Sequence, residues 1–147
     1  MSTKRSIILK GCPEVTEEGT ATEVIKPGYL VKGVSSVAKQ TGTHWTPRTF
    51  ALERDELGQG IDNSKQGVGT NSAYYAVGDR VKVAAFDGGD EVTAYVASGE
   101  DISEDDLLGS AGDGTLTEVA DTAEPMFQAM ETLGAVVVET AVRVRVL

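Results

Sequence analysis

Apolar and polar residues alternate most regularly on the two sides of residues 87–90, whose sequence is Asp-Gly-Gly-Asp. Val81 and Val83 belong to the alternation before this stretch, and Val92 and Val96 belong to the alternation after it. A period of two is typical of strands with one buried face. The glycine pair supplies the positive φ angles that a tight reversal needs. The pattern therefore predicts two strands joined as a β-hairpin.

Shorter stretches show the same alternation. Pro27-Gly28 predicts a turn inside residues 23–34, with a strand on each side, and Asp113-Gly114 predicts another turn between two short strands. Residues 49–53 are expected to form a short strand. The chain should end in a strand with one apolar and one basic face, because valines alternate with arginines over residues 142–146.

Residues 125–133 have a different spacing. Met126, Met130 and Leu133 recur at helical intervals, and Pro125 can occupy the first turn of a helix. This spacing favours a short helix, with a strand as the alternative.

Two stretches lack periodicity. Residues 1–24 predict an extended N-terminal arm with little core of its own, and residues 35–73 predict a long irregular middle loop. Residues 25–147 are then one β domain. The predicted fold is all-β, a small β-barrel or β-sandwich of short antiparallel strands.

Composition narrows the function. The chain has 147 residues and a net charge of −10, which disfavours direct binding to nucleic acid. No apolar run is long enough to span a membrane. The chain has one cysteine, Cys12, and one histidine, His44, which cannot build a Cys/His metal site with four ligands. The acidic run that starts at Asp101 does not fit an EF-hand calcium loop, because it lacks the required glycine and glutamate positions. No catalytic or cofactor-binding motif is present, so we expect neither an enzyme nor a cofactor.

The candidate partner-binding residues lie in the two irregular stretches. The arm combines basic and apolar side chains at its tip, and the middle loop combines aromatic side chains with an arginine, residue types that are frequent at interface hot spots. The alternative for Trp45 and Phe50 is that they cover the core. The candidate residues are Lys4, Arg5, Ile7, Ile8, Leu9, Trp45, Arg48 and Phe50.

Four runs of sequence, at residues 50–63, 73–81, 89–100 and 108–116, together resemble the head decoration, or capsid cement, proteins of tailed bacteriophages. The resemblance implies a structural protein on the outer surface of the virion, made in the host cytoplasm. Such a protein binds a capsid of the HK97 type and bridges neighbouring major capsid subunits. It also implies self-association as a dimer or trimer. Residues 64–72 depart from the family pattern as an insertion.

Two other functions fit parts of the sequence. A carbohydrate- or host-binding module of the virion would use exposed aromatic residues such as Trp45, Tyr74 and Tyr75. Gly60-Ile61-Asp62 faintly resembles a stretch of trimeric dUTP pyrophosphatases, but the phosphate-binding motif of that family is missing.

Overall fold

The computed structural model describes residues 7–10, 15–44, 46–52, 74–119 and 125–147, which form strands, turns and loops without a helix. The strands are β1 (Ile8–Lys10), β2 (Val15–Ala21), β3 (Val31–Lys32), β4 (Ser36–Lys39), β5 (Thr43–His44), β6 (Thr49–Ala51), β7 (Arg80–Ala85), β8 (Glu91–Val96), β9 (Asp101–Ile102), β10 (Leu107–Ala111), β11 (Leu116–Glu118), β12 (Phe127–Ala129), β13 (Gly134–Ala135) and β14 (Thr140–Val146). The all-β prediction is confirmed.

The C-terminal half forms a closed sheet, which we call the C-terminal barrel. Its strands follow the order β8-β11-β10-β12-β14, and β14 pairs back onto β8. The short strands β1 and β5 extend this sheet by pairing with β8 and β10. Alternate residues of β8 and β14 point inward and are fully buried, as the period of two requires: Val92, Ala94, Val96, Val142 and Val144.

A second sheet has the order β3-β4-β2-β7-β6 and forms what we call the N-terminal barrel. A backbone bridge between Leu30, next to β3, and Phe50, on β6, closes it. Its interior holds a separate apolar cluster that includes Val31, Val37 and Val81. This barrel lies in sequence between β1 and β8, which pair with each other at Lys10 and Glu91.

The two barrels share a packed interface at β6 and β7. Val83 on β7 faces the interior of the N-terminal barrel, whereas Ala84 faces the other way, into the core of the C-terminal barrel. Phe50 lies at the centre of this interface. Its ring makes edge-to-face contacts with Phe86 at 5.9 Å and with Phe127 at 5.5 Å between centroids. The barrels are therefore joined by apolar packing as well as by the chain.

One turn type precedes three strands, at residues 76–79, 87–90 and 103–106. In each turn, the fourth residue is an aspartate, and its backbone N–H donates to the carbonyl oxygen of the first residue of the turn, at 3.0, 3.2 and 3.1 Å. The carboxylate of the same aspartate accepts from the backbone N–H of the first residue of the turn, at 2.8, 3.1 and 2.7 Å. The third residue has a positive φ; it is glycine in two turns, but Asp105, with φ 74°, in the third.

Asp105 gives a test of this geometry. Asp105→Gly should raise the free energy of unfolding by about 0.5 kcal/mol, because glycine adopts this backbone region without steric cost. Asp105→Val should lower it by about 1–2 kcal/mol. Glu104, which precedes Asp105 and has an ordinary φ, is the matched control, and Glu104→Gly should destabilise. Urea unfolding measures all three, and a stabilising Glu104→Gly would contradict the explanation.

Several local predictions are confirmed. The turn at Pro27-Gly28 forms, with Gly28 at φ 100° and the N–H of Tyr29 donating to the carbonyl of Lys26 at 3.1 Å, and β3 follows it. The strand expected before this turn is wrong, because Ile25 makes only an isolated bridge to Tyr75. Asp113-Gly114 joins β10 to β11. The strand predicted near residue 49 is β6, and the C-terminal strand is β14, in which the valines at 142, 144 and 146 are buried and the arginines are exposed.

The predicted hairpin is wrong. Its two strands exist as β7 and β8, but they do not pair with each other and belong to different barrels. The turn at residues 87–90 is instead held by the C-terminal strand, because Gly89 donates to Val146 and Val146 donates to Asp90. The glycine pair thus reverses the chain at the junction between the barrels.

The extended arm and the irregular loop also differ from expectation. Residues 15–21 of the predicted arm are β2, which lies between β4 and β7, so this segment is central to the N-terminal barrel. Its inward positions include Gly19, where a Cβ would overlap the carbonyl oxygen of Val34. Residues 36–51 of the predicted loop contain β4, β5 and β6, and residues 53–73 lie outside the described part of the chain.

The short helix favoured at residues 125–133 is wrong. Phe127–Ala129 form β12, which pairs with both β10 and β14. Phe127 and Ala129 are buried on one face and Gln128 is half-buried on the other, which is the period of a strand. The helical spacing of Met126 and Met130 therefore has no structural counterpart.

Candidate functional site

The structure does not bring the eight candidate residues to one exposed surface. Ile7 is 2% exposed and Phe50 is 0% exposed, so both belong to the core. Ile8 and Leu9 lie in β1, whose backbone pairs with β8. Removing residues 1–10 would therefore damage the fold itself. Lys4, Arg5 and Trp45 lie outside the described residues.

Arg48 is the remaining candidate. It is half-buried, its carbonyl accepts from the N–H of Phe86 at 3.0 Å, and its Nε has no hydrogen-bond partner in the described part of the structure. Arg48 is adjacent to Pro47 and Thr49, which line a surface cavity.

The cavity beside Arg48 is open, measures about 250 Å³ and lies at the mouth of the N-terminal barrel. Val83 and Ala85 on β7 line it together with Glu17 and Thr49, which are their partners in the neighbouring strands. Residues directly opposite each other share a face of the sheet, so these are inward positions at the barrel end. Small and polar residues there leave the mouth unfilled. Val31, Lys32, Gly33, Val34, Gln40 and Pro47 complete the lining.

The polar groups of the cavity differ in their pairing. Lys32 Nζ donates to Thr41 Oγ1 at 2.6 Å, and Gln40 Oε1 accepts from the N–H of Gly42 at 3.0 Å. Glu18, the neighbour of Glu17, pairs with Arg80 at 3.1 Å. Glu17 and Lys32 both line the cavity, which therefore carries one acidic and one basic side chain. The mouth therefore offers apolar walls with one negative and one positive charge.

A second constellation lies at the seam between the barrels. Lys26 and Tyr29 flank the Pro27-Gly28 turn, and both reach Glu139 in the loop before β14. The Tyr29 hydroxyl lies 2.7 and 2.8 Å from the two carboxylate oxygens, and Lys26 Nζ forms an ion pair with the same group. The rings of Tyr29, Tyr74 and Tyr95 surround Nζ at 5.9, 5.0 and 5.5 Å, within the range of cation–π attraction.

These contacts shift the pKa values of two side chains, Tyr29 and Lys26. Burial and the hydrogen bond to Glu139 raise the pKa of the Tyr29 phenol above its ordinary value. Burial of the Lys26 ammonium works against its charged form, but the hydrogen bond and charge of Glu139, with a smaller contribution from Tyr74, outweigh it and raise the pKa of Lys26. Lys26 and Tyr29 therefore stay protonated at neutral pH, which keeps the contacts to Glu139 between the two barrels in place.

Sequence reasoning missed this cluster and the barrel mouth. The one local signal for the cluster was the Pro27-Gly28 turn, which places Lys26 and Tyr29 at neighbouring corners. In the described residues no group of three or more His, Cys, Asp or Glu side chains is arranged to hold a metal ion. The same residues contain no helix that is long and apolar enough to cross a membrane.

Charge is distributed unevenly between the barrels. Residues 15–52 and 74–85, which build the N-terminal barrel, carry six basic and four acidic residues in their described part. Residues 86–119 and 125–147, which build most of the C-terminal barrel, carry two basic and twelve acidic residues. The two ends of the molecule therefore present different electrostatic surfaces.

Neither a known protein family nor a curated protein matches the sequence. Among solved structures, the fold is similar to that of the N base of head fiber gp8.5 of bacteriophage phi29. The TM-score is 0.51 at 17% sequence identity, and the alignment covers 90% of this chain and 93% of that one. This chain thus shares its fold with the base of a bacteriophage head fiber.

Proposed function

We propose that this protein is a structural component of a bacteriophage virion that binds the outside of an HK97-type head and bridges neighbouring major capsid subunits. The observation that carries the proposal is the fold shared with the phi29 head fiber base along 90% of the chain. The resemblance of four sequence runs to head decoration proteins supports the same class. Self-association as a dimer or trimer is part of the proposal.

The physical properties of the molecule suit this role. Many copies on a lattice stabilise a shell through avidity, so each copy needs only a modest interface. A closed barrel also hides the strand edges that would otherwise pair with other copies. The sugar-binding alternative is not favoured, because Tyr75 is 2% exposed and its hydroxyl donates to the carbonyl of Leu52 at 2.7 Å.

The test is co-sedimentation with expanded heads of the phage that lack the protein. We expect saturable binding and heads that survive higher temperatures. Free protein at one hundred times Kd stabilises each occupied site by about 2.7 kcal/mol. Unexpanded heads and an unrelated acidic β protein are the controls. Protein that stays at the top of the gradient at every concentration would overturn the proposal.

A further inference from the structure

Arg48 is a basic side chain without an acidic partner. It is half-buried, and in the described part of the chain its guanidinium makes neither a hydrogen bond nor an ion pair. Other basic side chains of the same ranges form ion pairs with glutamates: Lys26, Lys39, Arg80 and Arg143. The positive charge of Arg48 is therefore left without a counter-charge in contact with it.

The packing of Arg48 fixes the direction of its guanidinium. Its Nε is buried without an acceptor among the described residues, whereas the two terminal nitrogens are not buried and reach the surface. Buried donors in proteins are nearly always paired, because an unmade hydrogen bond costs free energy. A side chain that is already held in one direction loses little conformational entropy when it binds. Arg48 thus presents donors in a fixed geometry to a molecule outside the chain.

A carboxylate is the group that matches these donors. The planar guanidinium of arginine binds a carboxylate through two parallel hydrogen bonds, and arginine is among the residue types enriched at interface hot spots. The cavity beside Arg48 carries one acidic and one basic side chain, Glu17 and Lys32. It therefore adds no net charge that would oppose an acidic partner.

The charges of the two barrels indicate the source of the carboxylate. In its described part, the N-terminal barrel carries six basic and four acidic residues, and the C-terminal barrel carries two basic and twelve acidic residues. Two acidic barrels would repel each other, whereas the N-terminal barrel of one copy and the C-terminal barrel of another have complementary charges. A second copy of this chain therefore offers the anionic surface that Arg48 fits.

We propose that Arg48 binds a carboxylate on the C-terminal barrel of a second copy of this protein. This inference rests on the self-association that is part of the proposed function, and it names the surfaces that meet and the chemistry of their contact. The contact joins two different surfaces, so it closes either as a reciprocal pair of copies or as a ring.

Sedimentation equilibrium of the purified full chain tests the contact without phage heads. Arg48→Gln should raise the Kd of self-association about tenfold, the equivalent of about 1.4 kcal/mol. Arg48→Lys keeps the charge but loses the planar fork, and it should raise the Kd about threefold. Arg145→Gln removes the same charge from an exposed position of β14 in the acidic barrel; it is the matched control and should not raise the Kd. Added salt should weaken self-association of the wild type more than that of Arg48→Gln.

A zero-length carbodiimide cross-linker identifies the two surfaces, because it joins lysine amines to carboxylates that are in contact. The experiment uses a mixture of unlabelled and isotopically labelled protein, so that links between copies are distinguished from links within one copy. We expect links between copies from lysines of the N-terminal barrel, such as Lys32 and Lys82, to acidic residues of the C-terminal barrel. Links between copies that all join one C-terminal barrel to another N-terminal residue of its own kind of barrel would overturn the proposal.

The outcomes separate this inference from the proposed binding to heads. Wild-type protein that stays monomeric at low salt overturns the inference, while co-sedimentation still tests capsid binding. Equal Kd values for Arg48→Gln and Arg145→Gln overturn the role of Arg48. An Arg48→Gln variant that self-associates normally but binds heads less tightly would place the carboxylate on the capsid, which also overturns the proposal.

Urea unfolding at protein concentrations below the Kd provides the folding control. Arg48→Gln should unfold at the same urea midpoint as the wild type, because the guanidinium has no hydrogen bond to lose within the described part of the chain. Arg48→Lys keeps the test valid if Arg48→Gln fails to fold.

Discussion

Replacing Phe50 with alanine is expected to lower the free energy of unfolding by about 3–5 kcal/mol, more than any other single change considered for this protein. Phe50 is fully buried and contacts Phe86 and Phe127 at the interface of the two barrels. Truncation leaves a cavity there and removes two edge-to-face contacts, each worth about 0.5–1.5 kcal/mol beyond burial. Because small domains have only about 5–15 kcal/mol of stability, this loss removes a large part of the total.

Calorimetry and urea unfolding measure this effect. Phe50→Leu keeps most of the volume and should cost about 1–1.5 kcal/mol. Val137→Ala, at a side chain that is 89% exposed, should change stability by less than about 0.5 kcal/mol. A Phe50→Ala cost as small as that of Val137→Ala would show that the phenylalanine cluster does not hold the barrels together.

Removing the charge of Glu139 is expected to have the second largest effect. Glu139→Gln should lower the free energy of unfolding by about 2 kcal/mol, because the half-buried Lys26 ammonium loses its ion pair and the Tyr29 phenol loses a charged acceptor. Tyr29→Phe removes one hydrogen bond, keeps the ion pair and should cost about 1 kcal/mol. The double variant Glu139→Gln/Tyr29→Phe should cost less than the sum of the two single variants, because each single change already disrupts the hydrogen bond between these two side chains.

The same cluster predicts a dependence on alkaline pH. The pKa values of Tyr29 and Lys26 are both raised from ordinary values of 10.0 and 10.5. A group that binds its proton more tightly in the folded state contributes stability that is fully present below the ordinary pKa and is lost as pH rises above it. Wild-type stability should therefore decline above about pH 10, and Tyr29→Phe should decline less steeply. Parallel curves for both proteins between pH 9 and 11 would contradict this assignment.

Sequence periodicity located the strands whose inward positions are aliphatic, such as residues 92–96 and 142–146. It could not assign their partners. Strands that are adjacent in sequence often pair, yet β7 and β8 separate because each completes a different closed sheet. Closure depends on contacts between residues that are far apart in sequence, and no local pattern records them.

Strand β2 was missed for another reason. Its inward positions hold Glu17, Gly19 and Ala21, so no apolar alternation marks it. Those residues are small or polar because Gly19 must approach the backbone at Val34 and Glu17 lies at the open barrel end. The small and polar residues at the inward positions of β2 therefore have two effects. They leave the barrel end open, and they remove the apolar alternation that would have predicted the strand.

The seam cluster could not be predicted either. Lys26 and Glu139 are 113 positions apart, and neither stands in a motif. In a sequence with 23 acidic residues, the one that pairs with a given lysine can be identified only from the fold.

The insertion of the N-terminal barrel between β1 and β8 has a mechanical consequence. Both connections leave the C-terminal barrel at the same end, where Lys10 and Glu91 are paired. Tension applied to the N-terminal barrel along the strand direction is thus shared by two adjacent strands. One of them, β8, is bonded to β14 over six consecutive residue pairs, from Glu91 to Val96. Such a load shears these hydrogen bonds together instead of opening them one at a time, which makes this attachment resistant to being pulled apart.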